Sequence, residues 1–230
     1  MSDQTHTIAL VGGTGPEGRG LATRFALAGH AIRIGSRDAA RGTSAAHELA
    51  STLAGRDGLG SIAGGDNAWA VQGATIVILV VPYAAHRETV SSLRDALSGA
   101  TNTIVVDAVV PVMFDKGPRP IEVPDGSAAE EAQALLPGIR VVGAFHNLSA
   151  EELLDPEADL GADVLVTGSD AEAKQTISDL ARTIRGVRAV DAGPLRFTRF
   201  VEGITILLIG INGRYKTHSG VRITGLAHGR

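Results

Sequence analysis

The sequence contains no cysteine, few aromatic residues and no hydrophobic run long enough to cross a bilayer. Without cysteine, disulfide bonds, thiolate-bound zinc, iron–sulfur clusters and a cysteine nucleophile are all excluded. The apolar stretch 204–211 is interrupted by Thr205 and Gly210, whereas a membrane helix needs about 20 apolar residues. Residues 1–7 carry neither the basic nor the apolar segment of a signal peptide. We therefore predict a soluble, cytoplasmic protein without membrane contacts.

Basic residues are also fewer than acidic residues: the sequence has 21 Lys and Arg residues and 25 Asp and Glu residues. The formal net charge of −4 argues against general nucleic-acid binding, so an anionic ligand needs a local basic site. No group of His, Asp or Glu residues has metal-ligand spacing, and no metal site is predicted. Glycine, by contrast, is abundant at 29 residues, which indicates tight turns or close approaches of the backbone to a ligand.

Short apolar runs alternate with longer amphipathic segments along the first 190 residues or so. Strands are predicted at residues 7–11, 31–35, 75–81, 103–107, 140–145, 162–167 and 187–190. Helices are predicted at residues 16–29, 38–53, 84–97 and 171–185. This βαβα order predicts an α/β fold with a doubly wound, mostly parallel sheet covered by helices on both faces.

Two later segments depart from this alternation. Residues 111–126 hold four of the nine prolines and form a long loop, after which S-A-A-E from Ser127 predicts the start of a helix. Further on, apolar residues recur at helical spacing, namely Val201, Ile204, Leu208 and Ile211. This helix could pack on the core or form a subunit interface, and we predict a homodimer. We divide the chain into a domain of residues 1–192 and a small C-terminal helical extension of residues 193–230.

The strongest local signal is the glycine-rich run GGTGPEGRG at residues 12–20. It contains G-x-G-x-x-G after one predicted strand and at the start of one predicted helix, the context of a Rossmann-like nucleotide-binding turn. In this interpretation Gly13 permits the tight turn, Gly15 lets the backbone approach a pyrophosphate, and Gly18 lets the helix pack closely. Pro16 suits the first helical turn, whose free N–H groups attract phosphate. The cofactor-binding residues predicted from this turn are Gly13, Thr14, Gly15, Pro16, Glu17 and Gly18.

The end of the second predicted strand decides which dinucleotide is favoured. NAD-binding proteins place an acidic residue there to bond the ribose 2′-hydroxyl. Here Ser36 and Arg37 follow the strand, and a hydroxyl beside a guanidinium suits a 2′-phosphate. Arg41 follows one helical turn later, while Asp38 is interpreted as the N-cap of the helix. The sequence therefore favours NADP(H) over NAD(H).

Three other predicted strands end in residues suited to a ligand cleft, since ligands of parallel sheets bind at the carboxyl ends of the strands. These ends are residues 80–83, 107–111 and 145–148. His146 is the histidine that we place in the cleft, whereas His6, His30 and His47 are interpreted as surface groups. Because the Tyr-x-x-x-Lys motif of short-chain dehydrogenases is absent, direct hydride transfer to an aromatic acceptor fits this site better than acid–base chemistry.

The whole chain resembles the family of NADPH-dependent coenzyme F420 reductases (F420H2:NADP oxidoreductases). The resemblance rests on stretches that occur in order along the sequence: GGTGPEGRGLA, IGSRD, VVPYAAH, VVDAVVPV, GSAAEEAQALLPG, VVGAFHN, VDAGPL and RYKTHSGVRITG. It implies an oxidoreductase that transfers a hydride reversibly between NADP(H) and the deazaflavin F420, directly from ring to ring and without a covalent intermediate.

The resemblance also implies roles for individual residues. Ser36 and Arg37 would contact the 2′-phosphate, and Thr14 would lie near the pyrophosphate. His146 would shape the hydride-transfer pocket without acting as an obligatory acid or base. Further contacts to the nicotinamide and the deazaflavin are implied for Val81, Pro82, Tyr83, Val109, Pro111, Ala144, Asn147 and Leu148.

Two alternatives remain open at this point. The same fold and glycine turn occur in NADPH-dependent reductases that pass the hydride to a flavin or reduce ferric or cupric ions. A protein that only senses NADP(H) would keep the glycine turn and lose the second pocket, so the His146 stretch and the tail RYKTHSGVRITG weigh against a sensor.

Overall fold

The computed structural model describes residues 5–226 of the chain. The strands are β1 (Thr7–Val11), β2 (Ala31–Ser36), β3 (Ile62–Asp66), β4 (Ile76–Leu79), β5 (Ile104–Asp107), β6 (Val112–Phe114), β7 (Pro118–Pro120), β8 (Arg140–Gly143), β9 (Asp163–Gly168) and β10 (Arg188–Gly193). The α-helices are α1 (Pro16–Leu27), α2 (Ala39–Thr52), α3 (Asn67–Val71), α4 (Tyr83–Ser92), α5 (Ala128–Leu135), α6 (Ala150–Leu154), α7 (Ala171–Ala181) and α8 (Thr198–Tyr215).

Eight of these strands form one sheet in the order β10-β9-β8-β5-β4-β1-β2-β3. All neighbours from β8 to β3 are parallel, β9 runs antiparallel to β8, and β10 is parallel to β9. The predicted α/β fold with a doubly wound, mostly parallel, Rossmann-like sheet is therefore confirmed. Because six strands run in the same direction, their carboxyl ends meet at one edge of the sheet.

Helices cover both faces of this sheet, as the alternation of side chains along β1 demonstrates. Ile8 and Leu10 belong to one buried cluster, together with residues of α1 such as Phe25. Ala9 and Val11 belong to a second cluster, together with residues of α4 such as Val90. Since these four of the five side chains of β1 are buried, burial on both faces explains why residues 8–11 are continuously apolar.

Several elements differ from the sequence prediction. The edge strand β3 was not predicted, because its sequence IAGGD has only two apolar residues that could indicate a strand. The proline-rich segment 111–126 contains the short antiparallel pair β6–β7. The N-cap at Ser127 is confirmed: its Oγ accepts from the Glu130 amide at 3.1 Å.

The C-terminal helix α8 is present as predicted, and it packs only part of its apolar surface. Val201 and Leu208 are buried, whereas Phe200 and Leu207 are 62% and 63% exposed. Among residues 5–226, no helix is both long and apolar enough to span a membrane. The division into a domain of residues 1–192 and an extension of residues 193–230 stays a prediction. Residues 1–4 and 227–230 lie outside the part of the chain that the structure describes.

Candidate functional site

A cleft of about 490 Å³ opens at the carboxyl ends of the central parallel strands. It brings together eleven of the residues predicted to bind the cofactor: Thr14, Gly15, Pro16, Glu17, Gly18, Ser36, Arg37, Arg41, Val81, Pro82 and Val109. Asn67, Ala85, Thr89, Ala108 and Val110 also line it. The cleft therefore joins the turn after β1, the end of β2 and the segments that follow β4 and β5.

The glycine turn has the geometry of a phosphate-binding turn, and two adjacent glycines form it. Gly12 is its left-handed residue, with φ +75°. A Cβ atom on Gly13 would lie 2.6 Å from Leu10 Cβ, so Gly13 permits the tight turn through close packing. A Cβ atom on Gly18 would lie 2.5 Å from Gly13 Cα, which confirms that Gly18 lets the helix approach the turn.

Gly15 differs from these glycines because a Cβ atom there would meet nothing within 4 Å. Its backbone, with φ −79° and ψ 171°, would accept any L-residue. Gly15 is also the N-cap of α1 and offers no side chain to the free amides of the first turn. Open space above uncapped amides at a helix N-terminus suits an anionic group.

The end of β2 presents cationic side chains to the cleft. Arg37 and Arg41 are exposed and line it, and Ser36 is buried beside them. Asp38 Oδ1 accepts from the Ala40 amide at 2.8 Å, so its carboxylate caps α2 as predicted. The arrangement suits a phosphate on the ribose better than a free 2′-hydroxyl.

Asn67 is a cleft residue that the sequence analysis missed. Its buried side chain accepts from the Gly12 amide through Oδ1 at 3.2 Å, which ties the glycine turn to the start of α3. No sequence signal pointed to Asn67, because it follows β3, the strand that was not predicted.

The other predicted site residues lie outside the lining of this cleft, at the ends of β4, β5 and β8 and in the turn. Tyr83 opens α4 and stacks on His86, with ring centroids 5.9 Å apart. Pro111 lines a separate cavity of about 360 Å³ that Glu202 also lines. Gly13, Ala144, His146, Asn147 and Leu148 are buried.

His146 follows a strained turn at the end of β8. Phe145 adopts φ +71°, a left-handed conformation that is unfavourable for an aromatic residue. Neither ring nitrogen of the buried His146 has a hydrogen-bond partner. Burial lowers the pKa of His146 to about 4, so the ring is neutral near pH 7. The next residue, Asn147, donates through Nδ2 to Val201 O and Thr205 Oγ1 and so ties this turn to α8.

A second buried polar group lies beside the cleft, and the sequence analysis named only its Asp107, as part of the strand end 107–111. His86 of α4 is fully buried; its Nε2 lies 2.8 Å from Asp107 Oδ2 and its Nδ1 lies 2.7 Å from Glu131 Oε1. The other oxygen of Glu131 accepts from Arg87 at 2.7 Å. Asp107 ends β5, immediately before the residues that line the cleft. These four side chains are called the His86 cluster below.

Two buried carboxyl groups carry little charge near neutral pH. Burial raises the pKa of Glu17 to about 8, so this cleft residue does not repel an anion as a full carboxylate would. Burial and the nearby charge of Asp107 raise the pKa of Glu202 to about 8 as well. Glu202 Oε1 accepts from the Ala128 amide at 2.8 Å.

We predict that Glu202 makes the protein less stable as the pH rises. Its pKa increases from 4.5 to about 8 on folding, so the folded state holds a proton that the unfolded state releases. The stability from this group is complete below pH 4.5 and is lost as the pH rises through about 8, at roughly 1.4 kcal/mol per pH unit.

Glu202→Gln keeps the hydrogen-bond acceptor for the Ala128 amide, and the Tm of this variant relative to the wild type should increase between pH 5 and 8.5. Thermal melts measure the difference, and Glu88→Gln, an exposed residue of α4, is the control. A parallel Tm profile for Glu202→Gln and wild type would contradict the prediction.

The sheet order, the glycine turn and the basic cleft together define a Rossmann-like nucleotide-binding protein. The sequence profile described as "NADP oxidoreductase coenzyme F420-dependent" matches residues 7–111. The chain is 42% identical over 225 residues to the F420-dependent NADP reductase of Methanothermobacter marburgensis, covering 95% of this chain and 98% of that protein. It is 41% identical over 223 residues to that of Methanocaldococcus jannaschii, with 95% and 98% covered.

A solved structure agrees with these relatives. A putative F420-dependent NADP reductase from Arthrobacter sp. FB24 superimposes with a TM-score of 0.75 at 26% identity, over 95% of this chain and 99% of that one. The chain belongs to the family of F420-dependent NADP reductases. The family assignment made from the sequence motifs is therefore confirmed.

Proposed function

We propose that this protein is an NADPH:F420 oxidoreductase that transfers a hydride reversibly between NADP(H) and coenzyme F420. The observation that carries the proposal is full-length similarity, at 42% identity, to a protein named F420-dependent NADP reductase. The cleft supports it, because open space at Gly15 and two exposed arginines, Arg37 after β2 and Arg41 in the first turn of α2, fit a phosphorylated dinucleotide. When bound, NADPH supplies the hydride and the deazaflavin accepts it, and no protein nucleophile is required.

The chain's own residues would bind and orient the two rings. Arg37 and Arg41, with Ser36, would hold the 2′-phosphate, and the amides at the start of α1 would hold the pyrophosphate. The neutral Glu17 would let the phosphates approach. The segments after β4, β5 and β8 would exclude water from the reacting rings, through Val81, Pro82, Tyr83, Val109, Pro111, Ala144, His146, Asn147 and Leu148.

The decisive assay follows the absorbance band of oxidised F420 after the protein is mixed with NADPH. Loss of this band supports the proposed function. If the band persists while NADPH is consumed with a flavin or with ferric or cupric ions, the alternative reductase function is correct. If NADPH binds by calorimetry but is consumed with none of these acceptors, the protein is an NADP(H) sensor instead.

We predict that His146 acts through its shape and position. His146→Ala should lower kcat about 10- to 100-fold, since small misplacements of reacting rings have costs of this order. His146→Asn should retain most of kcat, because a polar group of moderate size remains. The pH profile of kcat should lack a limb near 6.5, since the pKa of His146 lies at about 4. Loss of activity in both variants with intact NADPH binding, together with such a limb in the wild type, would identify His146 as a proton donor.

We also propose that the protein is a homodimer that buries the exposed face of α8. Phe200 and Leu207 are 62% and 63% exposed on this face, and the adjacent hairpin exposes Phe114 at 70%. Large exposed apolar side chains on neighbouring elements are typical of a subunit interface.

We therefore expect light scattering at micromolar concentration to give twice the mass of the chain. Leu207→Asp should convert the protein to monomers, since a charge would be buried at the interface. Leu226→Asp, at an exposed position outside α8, is the matched control. A wild-type protein that is monomeric at this concentration would contradict the proposal.

A further inference from the structure

The His86 cluster lies between two layers of the fold, next to the cleft but outside its lining. His86 and Arg87 come from α4, Asp107 ends β5, and Glu131 belongs to α5. Asp107, Glu131 and His86 are 0–3% exposed, so each of their polar atoms depends on a partner within the protein. A buried ionic group of this size is costly to form, and packing alone does not require it.

The hydrogen bonds of His86 determine its protonation state. Both ring nitrogens face carboxylate oxygens, at 2.7 and 2.8 Å. Ionised carboxylates only accept hydrogen bonds, so both nitrogens must carry a proton and the ring is an imidazolium. Two cations, His86 and Arg87, then balance two anions, Asp107 and Glu131. Burial opposes the charge on the ring, but the hydrogen bonds and charges of Asp107 and Glu131 outweigh it and raise the pKa of His86 to about 8.

The cluster reaches the cleft through Asp107. While one carboxylate oxygen bonds His86, the other accepts from the Val109 amide at 3.0 Å. Ala108, Val109 and Val110 all line the cleft, and so do Ala85 and Thr89 on the helix that carries His86. The orientation of the Asp107 side chain therefore fixes the backbone that forms this wall.

We propose that His86 is a positioning residue: as a bridge between Asp107 and Glu131, it holds the wall formed by residues 108–110 against the hydride-donating end of the cofactor. His86 itself does not line the cleft. The phosphate contacts come from the other end of the cleft, at the glycine turn and the end of β2. A loosened wall thus impairs alignment of the reacting rings and leaves NADPH affinity nearly unchanged.

The test separates kcat from KM, and it rests on the proposed F420 reductase activity. His86→Gln leaves an amide carbonyl facing one carboxylate and removes the balancing charge. We expect kcat to fall about 10- to 100-fold, the KM for NADPH to change less than about threefold, and the kinetic isotope effect with C4-deuterated NADPH to increase.

The double variant His86→Gln/Glu131→Gln restores both the bridge and the balance of charge. The amide introduced at position 131 can donate to the carbonyl of the amide introduced at position 86. The NH₂ group at position 86 can donate to Asp107, and Arg87 balances the charge of Asp107. We expect kcat of the double variant to return to within about fivefold of wild type. Ile177→Ala, on the buried face of α7, is the control for lost stability: it should lower Tm without changing kcat of the folded enzyme.

Three results would overturn the proposal. The first is a His86→Gln variant that lowers Tm as Ile177→Ala does, with kcat of the folded enzyme unchanged. The second is an increase in the KM for NADPH with kcat unchanged, and the third is a folded double variant that stays as slow as His86→Gln. If His86→Gln does not fold, the double variant alone tests the proposal. A kcat of the double variant more than about fiftyfold below that of the wild type, despite the restored bridge, contradicts a positioning role for His86.

NMR of the ¹⁵N-histidine-labelled wild type tests the bridge without any turnover. Two slowly exchanging ring N–H protons of His86 at pH 7 are expected. A single ring proton would exclude the imidazolium bridge even if F420 reduction were observed. Conversely, an intact bridge in a protein that does not reduce F420 would place the failure in the proposed function.

Discussion

Replacing both Arg37 and Arg41 with alanine is expected to raise the KM for NADPH by about 100-fold or more and to change the KM for NADH by less than about threefold. The reason is the proposed contact of both guanidinium groups with the 2′-phosphate, which NADH lacks. Hydrogen bonds between charged groups contribute about 1.5–3 kcal/mol each, and 1.4 kcal/mol corresponds to a factor of ten in affinity. Arg37→Ala alone should therefore lose about tenfold or more. Steady-state kinetics with each nucleotide measure both values.

The matched control removes two positive charges at a distance from the cleft. Arg182 and Arg185 lie at the C-terminal end of α7 and in the turn after it, and Arg182 pairs with Asp179 on the surface. Their double alanine variant should leave both KM values unchanged, because distant surface charges are screened in salt solution. Equal losses for NADPH and NADH in Arg37→Ala/Arg41→Ala would contradict the assignment of the 2′-phosphate to the end of β2.

The parts of the fold that depend on local patterns could be predicted from the sequence. The bounds of β1 agree with the prediction, because a run of five residues between a polar segment and a glycine turn leaves little freedom. Asp38 was predicted as an N-cap from its position after a strand, and it is one. The glycine turn was located correctly and Gly13 was expected to permit it, but the left-handed residue, Gly12, was given no role. When two glycines are adjacent, the sequence pattern cannot show which of them adopts the left-handed conformation.

The parts that depend on long-range contacts could not be predicted. His30 was interpreted as a surface group, yet it is buried, and its Nδ1 accepts from the His6 amide. His86, Asp107 and Glu131 are separated by 21 and 24 residues in sequence and meet only because α4 and α5 pack beside β5. Their polarity alone gave no indication of burial, since residues of these types are usually exposed.

Gly15 and Gly18 offer the sharpest test of the glycine turn, because the same substitution has different physical consequences at the two sites. Gly15→Ala places a methyl group in open cleft space, on a backbone that accepts it; the lower entropy of the unfolded chain offsets the poorer N-cap, so Tm should be nearly unchanged. The methyl group would occupy the space proposed for the pyrophosphate, at a cost of about 1–3 kcal/mol. We therefore expect the KM to increase about 10- to 100-fold for NADPH and NADH alike, since both carry a pyrophosphate.

Gly18→Ala is the contrasting variant, because its methyl group would lie 2.5 Å from Gly13 Cα and 2.8 Å from the Gly13 carbonyl. These are backbone atoms, so α1 and the turn must move apart, and Tm should fall by several degrees for a cost of about 1–3 kcal/mol. Thermal melts together with KM values for both nucleotides distinguish the two sites. If Gly15→Ala raises the KM for both nucleotides without lowering Tm, the turn binds the pyrophosphate. An increase in the KM for NADPH alone is instead the result expected for the Arg37 and Arg41 variants. If Gly15→Ala bound both nucleotides as tightly as the wild type does, the pyrophosphate could not lie against this turn, and the proposed orientation of NADP(H) in the cleft would be wrong.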